Sequence, residues 1–476
     1  MPAIREHFHF IGICGRAMSA IAIALARAGH VVTGSDQDTY GAARDCLRRA
    51  GIPVSPRFDA ANLRAGATIV IGRRVTSSNP EWAAARELGL RCLSFPMLLR
   101  ERFLSRSRNA VVAGGVGKTT TTAMLAWIVE HAGLRPDFLI GGSAGNFELS
   151  ARFDGAPVTV IEGDEYAASD DDPTPKFMYY APHVAVVTNL LEDHPDLYPD
   201  AQSVESAFRN FVQLLPADGT LVISADDLQA VRLSEAAGCR TLRVGPGSGS
   251  DVRLEIRDLD ETGSVFHLSG VEFQVPMYGA MNIRNAAMAA AAAAALRIGL
   301  EQSAEALSRF AGVDDRQHLR LAGGRTLVTD KASHPESFRE LAPALRQRFP
   351  GRRVIAVVEP RATGGRHWIY QRDLPAALAA FDCVVLAAPY EHRPPQRTRW
   401  SGDPFSIDQL ANEISDRGTP VVIAGALANL PGVVASAADP GDVVLLALRE
   451  QHAAHVEAVR DALCESDAAL RRSRAQ

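Results

Sequence analysis

Short apolar runs that alternate with segments of helical periodicity constrain the fold of this chain more than any other feature. A strand that is covered by helices on both faces is apolar throughout, and a helical crossover joins it to a parallel neighbour. The predicted buried strands are His7–Ile13, Val31–Thr33, Thr68–Ile71, Ala110–Ala113, Val158–Ile161, Val184–Thr188, Leu221–Ile223, Val354–Val358, Cys383–Ala387, Val421–Ala424 and Val443–Ala447. The pattern therefore predicts an α/β protein with doubly wound parallel sheets.

Two regions depart from this alternation. Asp251–Met277 alternates polar and apolar residues, with turn signals at Asp260–Gly263 and Ser269-Gly270. This pattern predicts a small antiparallel insertion. The longest apolar run, Ala286–Ala295, is bounded by polar residues and predicts an Ala-rich helix inside a globular domain.

Two breaks divide the pattern into three parts. A chain of 476 residues, of which 47% are apolar, exceeds one ordinary domain and can fill several cores. Arg100–Asn109 is rich in Arg and Ser, and Gly323-Gly324 precedes a new strand. We therefore predict domains at 1–107, 108–322 and 323–476.

Composition and charge narrow the partners and the compartment. The formal net charge of −5 favours neither nucleic acid nor an anionic membrane as a partner. Neither a signal-like N-terminus nor a membrane-length apolar run is present. The six cysteines include no C-x-x-C pair, so we expect reduced, mostly buried thiols in a cytoplasmic protein.

A glycine-rich turn, Gly114–Thr120, lies between the strand Ala110–Ala113 and a predicted helix. Glycines let backbone N–H groups close around phosphate oxygens, and the helix N-terminus adds a favourable dipole. Lys118 would bring a positive charge to the β- and γ-phosphates, and the Thr119 hydroxyl could bind Mg²⁺. Because Val112 stands where the motif has its first glycine, an ordinary βα turn is the alternative.

Acids and a histidine follow the next two strands of the same domain. Glu162-Gly163-Asp164-Glu165 ends one strand, and His194 lies beyond the end of the other. The carboxyl ends of parallel strands face the ligand side of such a sheet, and Mg²⁺ requires hard oxygen ligands there. Glu162 and His194 are therefore candidate metal ligands, although an acidic loop alone is usually solvated and a lone histidine is usually structural.

The N-terminal turn has a second glycine pattern. Gly12 and Gly15 lie at a strand-to-helix turn, and Asp36 follows the next strand, where an acid could meet a ribose hydroxyl. The pattern fits a dinucleotide and a nucleotide-sugar equally well, and a tight turn without a ligand is the alternative.

Together, these segments resemble the Mur ligases of peptidoglycan synthesis and recycling over nearly the whole chain, with the branch that recycles murein tripeptide most similar. The matching segments are His7–Gly15, Thr33–Asp36, Asn79–Glu81, Gly117–Thr122, Gly141–Phe147, Glu162–Tyr166, Asp193-His194, Asn282–Ala286, Gly312-Val313, Arg316, Asp330, His334-Pro335 and Glu359–Arg361. The resemblance implies a Rossmann-like N-terminal domain for a UDP-linked substrate, a P-loop ATPase-like central domain for ATP and Mg²⁺, and a Rossmann-like C-terminal domain for the amine.

The resemblance also implies the reaction and its residues. ATP would convert a carboxylate, expected to be that of UDP-N-acetylmuramate, into an acyl phosphate, and an amino acid or peptide amine would then displace phosphate. The implied catalytic residues are Lys118, Glu162 and His194, and the implied Mg²⁺ ligands are Thr119, Glu162 and His194. The implied ATP contacts are Gly114, Gly117, Lys118, Thr119, Thr120, Asn282, Asn285, Arg316 and Asp330. The implied substrate contacts are Gly12, Gly15, Asp36, Asn146, His334 and Arg361.

The chain departs from the family pattern close to these residues. The replaced positions are Gly115 and Val116 for Thr and His, Ala167 for Asp, Asp170-Asp171 for a usually aromatic pair, Met281 for His, Asp315 for Arg, Lys331 for Phe or Tyr, Ser333 for His, and Ala447–His452 for a glycine-rich loop. Three interpretations stay open: divergence within the recycling enzyme, a paralogue with another carboxylate and amine, and a nucleotide-binding relative with weak or no catalysis.

Two hypotheses from other classes also remain. The N-terminal glycines and Asp36 would suit a nicotinamide dehydrogenase, although hydride transfer does not need Gly117-Lys118-Thr119. A non-enzymatic nucleotide switch would fit the replacements at Gly115, Val116 and Ser333.

Overall fold

The structure is a computed structural model that describes residues 5–37, 42–193, 197–360, 368–388, 405–448 and 453–475. His194, Arg361 and Arg449–His452 lie outside these ranges. The described residues form sheets of five, ten and six strands. Each predicted strand is present, with some ends shifted by one or two residues, and the predicted α/β architecture is confirmed.

The first sheet is wholly parallel, with strand order β3-β2-β1-β4-β5. Its strands are β1 His7–Ile11, β2 Val31–Ser35, β3 Val54–Ser55, β4 Thr68–Ile71 and β5 Cys92–Ser94. Its helices are α1 Arg16–Arg27, α2 Ala42–Arg49, α3 Pro80–Glu87 and α4 Phe95–Arg102. The strand order reverses between β1 and β4, so the carboxyl ends of these two strands border the crevice where such sheets bind ligands.

The central sheet has strand order β15-β14-β13-β12-β11-β10-β6-β9-β7-β8. Its strands are β6 Arg108–Ala113, β7 Asp137–Leu139, β8 Ala151–Arg152, β9 Val158–Glu162, β10 Val184–Val187, β11 Thr220–Ser224, β12 Arg240–Gly245, β13 Val252–Leu259, β14 Ser264–Leu268 and β15 Val271–Val275. The predicted antiparallel region is confirmed as β13–β15. It is not a separate layer, because β13 pairs in parallel with β12 and so extends the edge of the central sheet.

The Ala-rich run forms the core helix of the central domain. The helices of this domain are α5 Lys118–His131, α6 Ala201–Val212, α7 Leu228–Leu233, α8 Ala280–Ala295 and α9 Leu300–Ser308. Small side chains let α8 pack closely on α5, and eleven of its residues are buried. Among the described residues, no helix is long and apolar enough to cross a membrane.

The third sheet has strand order β16-β17-β21-β18-β19-β20. Its strands are β16 His318–Ala322, β17 Arg325–Thr329, β18 Val354–Val358, β19 Cys383–Ala387, β20 Val421–Gly425 and β21 Val443–Ala447. Its helices are α10 Pro335–Arg348, α11 Trp368–Leu378, α12 Ile407–Ser415, α13 Leu430–Ala437 and α14 Ala453–Ala475. The strands are parallel except for the β16–β17 hairpin, and the proposed boundary between residues 322 and 323 falls at the turn of this hairpin.

All six cysteines are free thiols, but the expectation that most are buried is wrong. Cys383 in β19 is buried, Cys464 is exposed, and the other four are partly exposed. The partly exposed thiols include Cys46 on α2, a short helix with only one fully buried side chain, Leu47, among its described residues. Composition alone could not assign a cysteine to the inner or outer face of its element.

Helix α14 is held against the turn that joins β16 to β17. Arg325 is only 1% exposed, and its guanidinium donates to the carbonyl oxygens of Gly323, Ala438 and Leu463. A Cβ on Gly323 would lie 2.1 Å from the Leu463 carbonyl oxygen. The backbone of α14 therefore approaches this turn as closely as glycine allows.

We predict that Gly323→Ala lowers the thermal unfolding midpoint more than Gly324→Ala does. Both glycines have left-handed φ, 53° and 74°, so both substitutions carry similar backbone strain. The atoms nearest to an added Cβ lie at 2.1 Å for Gly323 and at 3.6 Å for Gly324. Overpacking at Gly323 should cost about 1–3 kcal/mol more. Circular dichroism melting of the two variants tests this, and equal midpoints would contradict the close approach.

Candidate active site

Three strand ends meet at one edge of the central sheet. In the parallel register, Val112 of β6 pairs with Glu162 of β9, and Ala113 pairs with Val187 of β10. The chain leaves β6 into the glycine turn, leaves β9 into the acidic run, and leaves β10 toward Asn189. Because ligands bind beyond the carboxyl ends of parallel strands, this edge is the candidate active site.

The turn between β6 and α5 requires glycine at both ends. Gly114 and Gly117 have φ of 131° and 87°. A Cβ would lie 2.2 Å from Thr188 Oγ1 at Gly114 and 2.5 Å from Asn285 Oδ1 at Gly117. The turn runs into the N-terminus of α5, where unpaired N–H groups and the helix dipole favour an anion. This geometry suits a phosphate group.

Lys118 folds back over the turn from the first residue of α5. Its Nζ donates to the carbonyl oxygen of Gly114 at 2.5 Å and lies 2.9 Å from Glu165 Oε2. Burial by itself would lower the pKa of Lys118, but the nearby carboxylates, above all Glu165, outweigh burial and raise it. The structure therefore holds a charged ammonium inside the turn.

Glu162 connects the phosphate turn to a second glycine turn. Its Oε1 accepts a hydrogen bond from Thr119 Oγ1 at 3.0 Å, and its Oε2 accepts one from the Gly141 N–H at 2.7 Å. A Cβ on Gly141 would lie 2.4 Å from that carboxylate. Burial, followed by repulsion from Asp164, raises the pKa of Glu162. A cation bound here would stabilise the charged carboxylate and so oppose both effects.

The Thr119 hydroxyl and the Glu162 carboxylate form an oxygen pair that fits Mg²⁺. This ion usually takes one or two protein oxygens and completes its shell with phosphate and water. Within the described ranges, no group of three or more His, Cys, Asp or Glu side chains could hold a metal. His194, the third predicted ligand, lies outside those ranges.

Asn189 is a site residue to which the sequence analysis assigned no role. Its Oδ1 accepts hydrogen bonds from the N–H groups of Gly115 and Val116 at 3.1 and 3.0 Å, and its Nδ2 donates to the Val116 carbonyl at 2.9 Å. This one amide therefore fixes the two turn positions that depart from the family pattern. Its place directly after β10 was the only signal in the sequence.

The two predicted asparagines of α8 lie behind the turn. Asn285 Oδ1 accepts from Thr121 Oγ1 at 3.3 Å, and its Nδ2 donates to Asn282 Oδ1 at 3.3 Å. Asn282 in turn donates to the Tyr278 carbonyl at 2.8 Å. Thr120 is buried in the first turn of α5. These residues connect the phosphate turn to the start of α8.

Arg316 and Asp330 lie where the central domain meets the third sheet. Asp330 is 5% exposed, its carboxylate accepts from the N–H groups of Gln317 and Ala332, and Arg316 lies 3.9 Å away. Burial raises the pKa of Asp330, and Arg316 opposes that rise. Gln317 also accepts from Asn282 at 3.4 Å, which links this junction to α8.

The N-terminal glycine turn belongs to the first sheet, but it faces the central site. Gly12 has φ of 82°, and Asp36 Oδ2 accepts from the Cys14 N–H at 2.8 Å, so this carboxylate closes the turn. Arg16, directly after Gly15, donates to the Gly141 carbonyl at 3.2 Å. The turn that contains Gly12 and Gly15 is thereby joined to the turn that approaches Glu162.

Asn146 and His334 hold segments of the chain together. Asn146 donates to the Arg309 carbonyl and accepts from the Ala311 N–H, which ties its turn to the segment after α9. His334 caps α10 by accepting from the Glu336 N–H, and its other ring nitrogen lies 3.2 Å from the Glu192 carbonyl oxygen. The predicted substrate contacts of both residues stay predictions.

We predict that Asn189→Ala raises the KM for ATP about tenfold or more, because the turn loses three hydrogen bonds that fix its shape. Steady-state kinetics with varied ATP measures the effect. Asn412→Ala, the same change at an exposed position on α12, is the matched control and should leave this KM unchanged. An unchanged KM in Asn189→Ala would remove Asn189 from the site.

Three family models match the chain in the order of its sheets. The Mur ligase family, catalytic domain model matches residues 7–105. The Mur ligase middle domain model matches residues 112–293, and the Mur ligase, glutamate ligase domain model matches residues 316–447. The matches cover the first, central and third sheets in turn.

The sequences of several relatives align with most of the chain. The UDP-N-acetylmuramate–L-alanyl-gamma-D-glutamyl-meso-2,6-diaminoheptandioate ligase of Haemophilus influenzae is 33% identical over 392 residues, which cover 81% of this chain and 86% of that protein. The UDP-N-acetylmuramate–L-alanine ligase of an Arthrobacter species is 35% identical over 397 residues, 81% of each chain. The crystal structure of a murein peptide ligase from Psychrobacter arcticus has the same fold, with a TM-score of 0.72 and 24% identity over 96% of this chain and 99% of that one.

The similarity extends through all three sheets and includes the site at the edge of the central sheet. The identities above 30% cover four fifths of the chain, and the family models follow one another in the expected order. The chain therefore belongs to the Mur ligase family, whose members are ATP-dependent ligases.

Proposed function

We propose that this ligase activates the carboxylate of UDP-N-acetylmuramate and joins it to the amine of a peptide or amino acid, with L-alanyl-γ-D-glutamyl-meso-diaminopimelate as the first candidate. The names of both relatives include UDP-N-acetylmuramate as one substrate, and the two names differ in the amine substrate. The observation that carries the proposal is the charged Lys118 inside a phosphate-type turn, next to Thr119, whose hydroxyl donates to Glu162 at the end of the neighbouring strand. Such a site serves phosphoryl transfer and has no use in hydride transfer.

In the first step, a carboxylate oxygen of the substrate attacks the γ-phosphorus of ATP. A new P–O bond forms, the bond to ADP breaks, and an acyl phosphate results. Charge accumulates on the phosphoryl oxygens during this transfer. Lys118 would neutralise part of that charge, and the N-terminal N–H groups of α5 would hold the phosphates in line.

Mg²⁺ would be held by Thr119, Glu162 and, by the sequence prediction, His194. When bound, it supplies charge neutralisation at the phosphates. Glu162 is fixed for this role from two sides, by the Thr119 hydroxyl and by the Gly141 N–H. The approach of Gly141 leaves no room for a side chain on this side of the carboxylate.

In the second step, the amine nitrogen attacks the acyl carbon. The C–N bond forms, the C–O bond to phosphate breaks, and the released phosphate takes up the proton that the nitrogen loses. We propose that the third domain delivers the amine, because His334 at the start of α10 contacts the loop that follows β10. That contact brings the carboxyl edge of the third sheet toward the phosphate turn.

The direct test is ADP release by the purified protein with ATP, Mg²⁺, UDP-N-acetylmuramate and a panel of amines. The panel contains the tripeptide, L-alanine and other amino acids. We expect ADP formation that depends on both the muramate and the tripeptide. Lys118→Ala should abolish turnover, because the turn loses its buried cation.

Three other outcomes would redirect the proposal. Turnover with the muramate and L-alanine, but not with the tripeptide, would make L-alanine the amine substrate. ATP binding without turnover over the whole panel would favour a paralogue with another substrate pair or a nucleotide-binding relative. Full turnover in Lys118→Ala would remove Lys118 from the phosphate site.

We also predict that Glu162→Gln raises the Mg²⁺ concentration for half-maximal turnover at least about tenfold, because a charged oxygen ligand becomes neutral. Chelation should stop turnover, and added Mg²⁺ should restore it. Glu130→Gln, which removes the remote Glu130–Arg152 pair, is the matched control. An unchanged Mg²⁺ titration in Glu162→Gln would exclude this carboxylate as a ligand.

A further inference from the structure

Two positions at which this chain departs from its family pattern form a pair in the structure. Lys331 Nζ lies 3.3 Å from Asp315 Oδ2, and the Lys331 N–H donates to the Asp315 carbonyl at 3.0 Å. Asp315 has a φ of 54°, a left-handed conformation that is uncommon for a residue with a side chain. The two residues are held by both backbone and side chain, so they act as one unit.

The pair lies between the central domain and the third sheet. Asp314, the preceding residue, donates its N–H to the Ser143 carbonyl at 2.8 Å. Lys331 follows β17 and the buried Asp330 directly. The pair is therefore anchored on one side to the glycine turn of Gly141 and on the other to the carboxyl edge of the third sheet.

Two further cations, Arg16 and Arg316, lie near the pair. Burial lowers the pKa of Lys331 first, the Arg16 guanidinium lowers it further, and Asp315 opposes both. Arg316, the residue after Asp315, adds a third cation, while the Asp330 carboxylate already accepts two N–H groups. The Lys331 side chain is 23% exposed, so a ligand can reach its ammonium group.

We propose that Lys331, oriented by Asp315 and assisted by Arg16, binds a carboxylate of the amine substrate. The phosphates of ATP are assigned to the Lys118 turn, and the acyl carboxylate is consumed in the reaction. The diphosphate of the UDP-linked substrate is assigned to the turn of Gly12 and Gly15 in the first domain. The carboxylates of the amine substrate are the anions that still lack a partner, and Lys331 belongs to the domain proposed to deliver that substrate. The inference rests on the proposed function and adds a residue that selects the amine by its charge.

The test combines a change in the protein with a change in the ligand. KM is measured for the tripeptide and for L-alanine in the wild type and in Lys331→Met. Each amine is used with its carboxylates free and with its carboxylates converted to carboxamides, one at a time for the tripeptide. A hydrogen-bonded charge pair contributes enough to change KM about 10- to 100-fold. We expect that rise for the carboxylates in Lys331→Met, no change for the carboxamides, and KM values for ATP and UDP-N-acetylmuramate within twofold of the wild type.

Two variants separate this role from a structural one. Arg320→Met removes a different cation–carboxylate pair of the third domain, between Arg320 on β16 and Glu457 on α14 at 2.6 Å, and should leave every KM unchanged. Asp315→Asn keeps the ammonium but loosens its orientation, so the KM for the carboxylates should rise less than in Lys331→Met. Thermal melting of all three variants checks the fold.

The proposal is overturned if Lys331→Met changes the carboxylate and carboxamide KM values equally, or if the KM for ATP rises instead. If the wild type turns over no amine, the proposed function fails on its own. Calorimetric titration then tests the inference separately. It measures the binding of each amine and of its carboxamide in the presence of a non-hydrolysable ATP analogue. Equal binding of carboxylate and carboxamide by the wild type, or no binding of either, would overturn it.

Discussion

The parallel pairing of β6 with β9 on one side and β10 on the other is the constraint on which the rest of the site depends. One register places the start of the phosphate turn, Glu162 and the approach to Asn189 at the same height of the sheet. The three segments are far apart in the chain, and backbone hydrogen bonds within the sheet fix their relative positions. The side chains of Glu162 and Asn189 are therefore close enough to form hydrogen bonds with the phosphate turn and the start of α5.

The charged side chains of the site are neutralised by ion pairs with one another rather than by solvent. Lys118 and Glu165 form a buried pair, and the neighbouring Lys176 lies 3.3 Å from Asp164. Burial lowers the pKa of Lys176, while Asp164 opposes that effect. Such groups are costly to desolvate, and pairing offsets much of the cost. The arrangement keeps fixed charges close to the proposed phosphate position, where water would otherwise weaken them.

The three domains meet through polar contacts that surround this edge. Arg16 links the first domain to the Gly141 turn. On the other side, Gln347 of α10 accepts from the Gly279 N–H and donates to the carbonyls of Asp260 and Gly263. The antiparallel edge of the central sheet therefore serves as a docking surface for the third domain. A turn that the sequence marked only as a hairpin signal thus helps to orient the domain proposed to carry the amine.

The sequence by itself determined the α/β class, the long buried strands, the antiparallel edge and the phosphate-type turn, because continuous apolar runs, polar alternation and a Gly-Lys-Thr motif are local signals. The strands β3, β5, β7, β8, β12 and β16 and the exposure of most cysteines were missed. The first four have only two or three residues and carry too little pattern, and arginines interrupt the apolar runs of β12 and β16. Composition does not say on which face of its element a cysteine lies. Only the tertiary structure decided that Asn189 fixes Gly115 and Val116, that Asp36 closes the turn of Gly12 and Gly15, and that Asp315 meets Lys331. These contacts join residues distant in sequence, and their partners are chosen by sheet register and domain docking, which no local periodicity encodes.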